Sequence, residues 1–381
     1  MIYININTVQ AAVVGLGNIG SVHAKSIFNN KIDCMQLVAV CDSSPERLAW
    51  AEEEMPTVKR FASYEKMLES GIDAVIIATP HYLHPPMAME AFKRNIHVLS
   101  EKPAGVYAAQ VKEMNKETNK AGVVFSVMFN QRTSPIFSTM RQMIQNGEVG
   151  IPTRLNWLIT NWYRTQEYYE SSSWRATWRG EGGGVLINQA VHNLDLWQWI
   201  FGAPQKMTAF CGFGKFHDIE VEDEASLFAE YDDGRSAVFI ATTGDYPGTN
   251  RLEITGTGGK LVAENNTLVF YKSNAEKSDF DIISIDVAGE KEGHMAIIQN
   301  FANAIRWGEK LISPGEEGVI SVEMLNAAYY SAWQNGSQTL PVPSDDYYKL
   351  LESKFESMNK QGSCKVSDNG EGYLEKWNVN W

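Results

Sequence analysis

The chain has 381 residues, room for two to three domains, and with 44 % hydrophobic and 21 % charged side chains it is not a wholly disordered protein. Lys and Arg total 33 against 46 Asp and Glu, a net charge of −13, so neither nucleic acid nor an anionic membrane surface is an expected partner. No apolar run approaches the roughly 20 residues of a membrane span. The opening MIYININTVQ has no basic residue, and Cys34, Cys41, Cys211 and Cys364 form no CxxC pair. These features lead to the expectation of a reduced, cytoplasmic protein without disulfides or a metal site.

The first 130 residues alternate short β-branched runs with helix-length segments. Strands are expected at Gln10–Val14, Gln36–Cys41, Ala74–Ala78, His97–Leu99 and Val123–Val127, with helices at Ile19–Asn29, Pro45–Glu54, Pro86–Arg94 and Tyr107–Lys120. Such alternation implies a doubly wound parallel sheet, and continuous apolar strands imply helices on both faces. After Asn130 a helix at Pro135–Gln145 leads into longer strands, Thr153–Tyr163, Lys206–Gly214, Ala225–Tyr231, Arg235–Ala241, Arg251–Thr255 and Lys260–Ala263. Asp232-Asp233-Gly234 and Gly256–Gly259 read as hairpin turns, so this sheet is expected to be large, open and mostly antiparallel. Helices at Val185–Phe201, Met295–Trp307 and Glu316–Gln334 complete an α+β half. Residues 1–131 hold 12 basic and 13 acidic side chains, the remainder 21 and 33. The expected division is 1–131, 132–345 and an unassigned extension at 346–381.

Gly15-Leu16-Gly17-Asn18-Ile19-Gly20 follows the first strand and opens the first helix. In a dinucleotide site the first glycine makes the tight turn, the second lets backbone approach the pyrophosphate, and the third lets helix pack on strand. Asp42, at the end of the second strand, lies at the spacing of a carboxylate that binds the adenosine ribose and repels a 2′-phosphate, so NAD is favoured over NADP.

Strand carboxyl ends face the ligand crevice in such sheets, which draws attention to Ala78-Thr79-Pro80-His81-Tyr82-Leu83-His84 and to Ser100-Glu101-Lys102-Pro103. His81 and His84 read as nucleotide-side or structural groups rather than metal ligands. Three glycines, Gly182–Gly184, run into a helix on which Asn188 and His192, four apart, share a face. Trp157, Trp162, Tyr163, Tyr168, Tyr169, Trp174 and Trp178 interleave with Arg154, Arg164, Arg175 and Arg179. Flat rings with nearby donors suit a polyhydroxylated ring, although an oligomer interface or domain packing uses the same residues. Glu220, Glu222, Asp223 and Glu224 read as a solvated strand edge.

The GLGNIG fingerprint, the ATPHYLH segment, the EKP triplet and the GGGVLINQAVHNLD run together resemble the Gfo/Idh/MocA oxidoreductases, the glucose–fructose oxidoreductase and inositol dehydrogenase group, over residues 9 to about 335. The resemblance implies an NAD-binding Rossmann domain, a substrate and oligomerisation domain forming a homodimer or homotetramer, and hydride transfer to or from a sugar or cyclitol. It implies that Lys102 hydrogen-bonds the reacting oxygen and that His192 moves its proton. Thr79, Pro80, His84, Glu101 and Asn130 match the nicotinamide side, and Trp174 and Arg175 the loop that meets substrate. Many members of the family carry Asp where this chain has Asn188, which leaves the histidine without that carboxylate. A second reading is an NAD-dependent glycosidase or lyase acting by transient C3 oxidation and elimination. A third is a non-enzymatic NAD-responsive regulator.

Overall fold

The computed structural model describes residues 8–274, 279–287, 289 and 293–355. It divides into two compact units, residues 8–133 with 293–319, and 134–289 with 320–355. Residues 293–319, expected in the second half, therefore belong with the first.

In the first unit the chain runs β1 (Val9–Val14), α1 (Asn18–Phe28), β2 (Met35–Cys41), α2 (Pro45–Glu54), β3 (Lys59–Phe61), α3 (Tyr64–Leu68), β4 (Ala74–Ile77), α4 (His84–Phe92), β5 (His97–Ser100), α5 (Ala108–Ala121) and β6 (Phe125–Val127). The sheet order is β3-β2-β1-β4-β5-β6 and every pair is parallel, the doubly wound arrangement. All four residues of β4 are buried, as a strand covered on both faces requires. Local chemistry sets the helix ends. Ser44 accepts from the Arg47 N–H to start α2, with Pro45 at its first turn, and Gly122 ends α5 in the left-handed region at φ 66°.

The second unit holds α6 (Pro135–Gln145), β7 (Pro152–Ile159), α7 (Gln166–Glu170), α8 (Val185–Asn188), α9 (Val191–Phe201) and then β8 (Lys206–Phe213), β9 (Glu222–Glu230), β10 (Ser236–Thr242), β11 (Asn250–Gly256), β12 (Gly259–Glu264), β13 (Thr267–Asn274) and β14 (Asp279–Ile285). After α10 (Gly293–Trp307), in the first unit, come α11 (Gly318–Gln334), β15 (Gln338–Thr339) and α12 (Ser344–Lys354). The nine-stranded order is β14-β13-β12-β11-β7-β10-β9-β8-β15, antiparallel except where β10 runs parallel to β7. On its inner face Phe239 lies beside Trp157 in register, and Trp197 of α9 stacks on Phe239 at 5.8 Å.

Three further expectations change. The single helix over Val185–Phe201 is broken at Gln189–Ala190, where the Ala190 N–H reaches back five residues to the Val185 carbonyl. The acidic run is not a solvated edge: Glu222 and Asp223 are fully buried. The extension begins as an ordered helix, with Tyr347 of α12 stacked on Trp333 at 5.6 Å and Leu351 buried; residues 356–381 lie outside the described residues.

Candidate active site

The glycine loop turns at Gly15, φ 85°, where a Cβ would collide with the Ala78 carbonyl at the end of β4. A Cβ on Gly20 would collide with the Gly15 carbonyl. Gly17 differs: it is exposed, caps α1 without any side-chain acceptor, and a Cβ there would meet nothing within 4 Å. Asn18 and Ile19, the first residues of α1, follow it. The helix N–H groups therefore open onto space that a diphosphate can approach. Asp42 closes the loop from β2: one carboxylate oxygen accepts from the Leu16 N–H at 2.6 Å, the other from the Ser44 N–H at 2.8 Å.

The exits of β4 and β5 are stapled together. His84 is fully buried, with Nδ1 2.7 Å from the Pro103 carbonyl and Nε2 2.7 Å from the Thr79 carbonyl. Both ring nitrogens thus face backbone carbonyls, so His84 lies between the Thr79-Pro80 turn and the Lys102-Pro103 turn; a neutral ring donates to one of them and the imidazolium to both. Burial pushes its pKa below the ordinary range, against the pull of the two carbonyls. Glu101 is buried and pairs with His23 of α1 at 2.8 Å, while its other oxygen accepts from the Lys102 N–H at 3.2 Å. Burial works to raise the Glu101 carboxyl, yet the His23 hydrogen bond and the charges of His23, His294 and Lys102 hold it down at about 2. The Lys102–Pro103 peptide is cis. Asn130 begins a short turn after β6; it is 5 % exposed, and its Oδ1 has no partner among the described residues. An open Gly17, an uncapped helix start and an unmatched acceptor on Asn130 fit a bound dinucleotide.

The second unit brings Arg175, Asn188 and Tyr168 together. Tyr168 Oη accepts from Arg175 Nη1 at 2.7 Å, from Gln189 Nε2 at 3.0 Å and from Asn188 Nδ2 at 3.2 Å. Burial raises the Tyr168 pKa, with Arg175 acting the other way. Asn188 Nδ2 also donates to Glu181, a buried carboxylate that accepts the Ala176 N–H at 2.7 Å and stands 3.7 Å from Arg175. Because an ionised carboxylate only accepts, Glu181 fixes the Asn188 amide with nitrogen towards it. His192 lies on the first turn of α9, beyond the helix break, so the expected four-residue face shared with Asn188 is interrupted. Of the seven clustered rings only Trp174 is part-exposed, with Arg175 stacked on it at 4.7 Å; the others are buried, Tyr168 among them as the acceptor just described.

The triple glycine has a structural cause. A Cβ on Gly183 would collide with the Tyr329 hydroxyl, and one on Gly184 with the Glu222 carbonyl. The Glu222 carboxylate accepts from the N–H groups of Gly184 and Leu186, both at 2.9 Å, and from Tyr329 at 2.8 Å, so it caps α8. Burial nevertheless raises its pKa to about 7, those hydrogen bonds opposing. Sequence reasoning did not mark His23 in the first unit or Glu181 in the second, and it placed Glu222 in a solvated edge. Glu181, directly before the glycines, and the misread acidic run were the available signals.

A 3-2-1-4-5-6 parallel sheet with this loop defines a dinucleotide-binding protein. Residues 9–129 match the model described as an oxidoreductase family with an NAD-binding Rossmann fold, and residues 137–262 match the GFO/IDH/MocA C-terminal domain. The chain belongs to the Gfo/Idh/MocA family and is an NAD-binding oxidoreductase. It is 27 % identical to scyllo-inositol 2-dehydrogenase (NAD(+)) of Bacillus subtilis, over 88 % of this chain and 96 % of that protein. It is 23 % identical to myo-inositol 2-dehydrogenase of Thermotoga maritima, over 87 % and 98 %. Among solved structures, the WlbA dehydrogenase from Chromobacterium violaceum, in complex with NADH and UDP-GlcNAcA, aligns with a TM-score of 0.78 and 28 % identity over 89 % of this chain and 98 % of that one. Among the described residues no helix is long and apolar enough to cross a membrane.

Proposed function

We propose that the protein is an NAD-dependent dehydrogenase or reductase acting on a hydroxyl or ketone of a sugar, a sugar derivative or an inositol. The observation that carries the substrate class is the part-exposed Trp174–Arg175 pair, tied through Tyr168 to Asn188: an apolar face beside fixed donors suits a ring with C–H faces and equatorial hydroxyls. The names of the inositol and nucleotide-sugar relatives support the same class.

Bound NAD would supply the acceptor for the carbinol hydride in oxidation, and bound NADH the donor in reduction. The chain supplies the rest. The glycine loop and α1 hold the diphosphate, Asp42 the ribose side, and Asn130 an acceptor for the nicotinamide side. Lys102 donates to the reacting oxygen and lowers the cost of charge developing there. His192 accepts the hydroxyl proton in oxidation and returns it in reduction. These roles of Lys102 and His192 rest on the resemblance of their motifs. We also propose a cytoplasmic location and a homodimer or homotetramer formed through the outer face of the nine-stranded sheet.

The test is absorbance at 340 nm with purified protein, NAD and a panel of monosaccharides, inositols, uronates and aryl glycosides. NADH growth with a polyol is the expected result. Aglycone release without net NADH would instead mark an oxidation–elimination enzyme and overturn the dehydrogenase reading.

A further inference from the structure

Gln131 follows Asn130 in the turn Asn130–Thr133 and is 2 % exposed, yet neither Oε1 nor Nε2 has a hydrogen-bond partner among the described residues. A buried amide left unmatched is costly, and such groups are normally satisfied by protein, water or ligand. The turn is not loosely held. Thr133 Oγ1 donates to the Asn130 carbonyl at 2.7 Å and accepts from the Gly293 N–H at 3.0 Å. Arg132 pairs with Glu317. The Met128 N–H ties the approach to the Ser100 carbonyl at 2.8 Å, directly before Glu101 and Lys102. Gln131 thus stands on a fixed backbone at the carboxyl end of β6, where ligands of doubly wound sheets bind. Asn193 on α9 is buried with the same lack of partners, but Gln131 also stands at a strand carboxyl end and beside Asn130, whose Oδ1 is likewise unmatched among the described residues.

We propose that Gln131 is a ligand-reading residue, its amide completed in the loaded enzyme by a neutral group that both donates and accepts. An amide offers two donors and two acceptor sites, so a hydroxyl or a carboxamide matches it. With Arg132 already paired to Glu317, the turn is poorly suited to a phosphate or carboxylate. The partner is therefore a substrate hydroxyl or the cofactor carboxamide; the hydroxyl source rests on the carbohydrate reading, the carboxamide source does not.

The test compares wild type with Gln131→Met, close in volume and without polar atoms. The melting temperature of the ligand-free variant is expected to equal or exceed that of wild type, because no protein partner is lost; a fall of several degrees overturns the proposal. Binding is then read without turnover, by tryptophan fluorescence with NAD and with ADP-ribose, and by thermal shift of the NADH-loaded protein with the polyol panel. If the carboxamide is the partner, NAD binds at least about tenfold more weakly to the variant while ADP-ribose is unchanged. If a hydroxyl is the partner, NAD affinity holds and one polyol loses at least about tenfold in affinity, its deoxy analogue losing nothing. Unchanged affinity for NAD and for every polyol overturns the proposal whether or not NADH ever forms. Gln131→Glu, which removes both donors and keeps two acceptors, reads the same contrast if the Met variant does not fold.

Discussion

Asn188 carries no charge to lend to a histidine, and the contacts around it show where the carboxylate of this region lies. Glu181, seven residues earlier, holds the Asn188 amide and the Arg175 guanidinium from a buried position. Glu181→Gln keeps an acceptor for Asn188 but frees the amide to turn and removes the partner charge of Arg175. Turnover with the best substrate is expected to fall about tenfold to a hundredfold, the scale of a misplaced reacting group, while NAD affinity measured by fluorescence is unchanged. By contrast Lys102→Met and His192→Ala each remove a proposed reacting group. Each should lower kcat by at least about 100-fold with NAD still bound, and near-wild-type turnover in either would remove the assignment. The motif made Lys102 and His192 legible as candidates; Glu181 was not, because its meaning depends on a loop folding back onto α8. Glu222 is a second buried carboxylate with a separate consequence. Its pKa is raised from 4.5 to about 7, so its contribution to stability is complete below pH about 4.5 and is lost as pH rises through 7. The loss is on the order of 3 kcal/mol for a shift of that size. Melting temperatures from pH 5 to 8 should therefore decline more steeply for wild type than for Glu222→Gln; parallel curves would show that the buried carboxyl does not titrate in this range.

The glycine loop and α1 form an element in which folding and binding can be separated. Gly15 and Gly20 are required by the contacts of the fold itself, whereas Gly17 faces open space at φ −65°. Gly17→Ala should cost at most about 1 kcal/mol as a changed N-cap, yet weaken NAD by at least about tenfold because the methyl stands where the diphosphate approaches. Gly20→Ala should fail to give a stably folded protein, since its methyl would overlap the Gly15 carbonyl oxygen. Thermal melts and NAD titrations of the two variants distinguish these outcomes. This element was readable because three glycines at fixed spacing between a strand and a helix leave few other geometries. The helix of His192 was less readable: hydrophobic spacing runs unbroken from Val185 to Phe201, and nothing in it marks the turn in which Ala190 bonds back to Val185. The acidic run was misread for a related reason. Composition places carboxylates in solvent, but the N–H groups at the start of α8 and the loop Lys215–His217 supply enough donors to bury two of them.

At the scale of the whole molecule, the parallel sheet followed directly from the alternation of apolar runs and helices. The nine-stranded sheet was only partly visible. The residues of β14 are almost all exposed and carry no buried face to give the alternation away, while β15 is two residues long. The discontinuity of the first unit was invisible to composition, because α10 looks like any amphipathic helix until its partners are known. The outer face of the large sheet gives the last testable consequence. Register places Phe210 opposite Ser226, Phe228 opposite Val238, and Ile240 opposite Leu158, so these side chains share one face across β8, β9, β10 and β7. Phe210 is 75 % exposed and Phe228 47 %, with Leu158 also exposed, so the patch is apolar over neighbouring strands rather than a set of isolated residues. A second copy presenting the same face would cover it by a two-fold arrangement, the commonest form of self-association. Light scattering after size exclusion should give at least twice the monomer mass for wild type. Phe210→Lys with Phe228→Lys, both pointing to solvent in the isolated chain, should shift that mass towards the monomer without lowering the melting temperature of the unit itself. A wild type that runs as a monomer at micromolar concentration, or a double variant that keeps the wild-type mass, would assign the patch to something other than self-association.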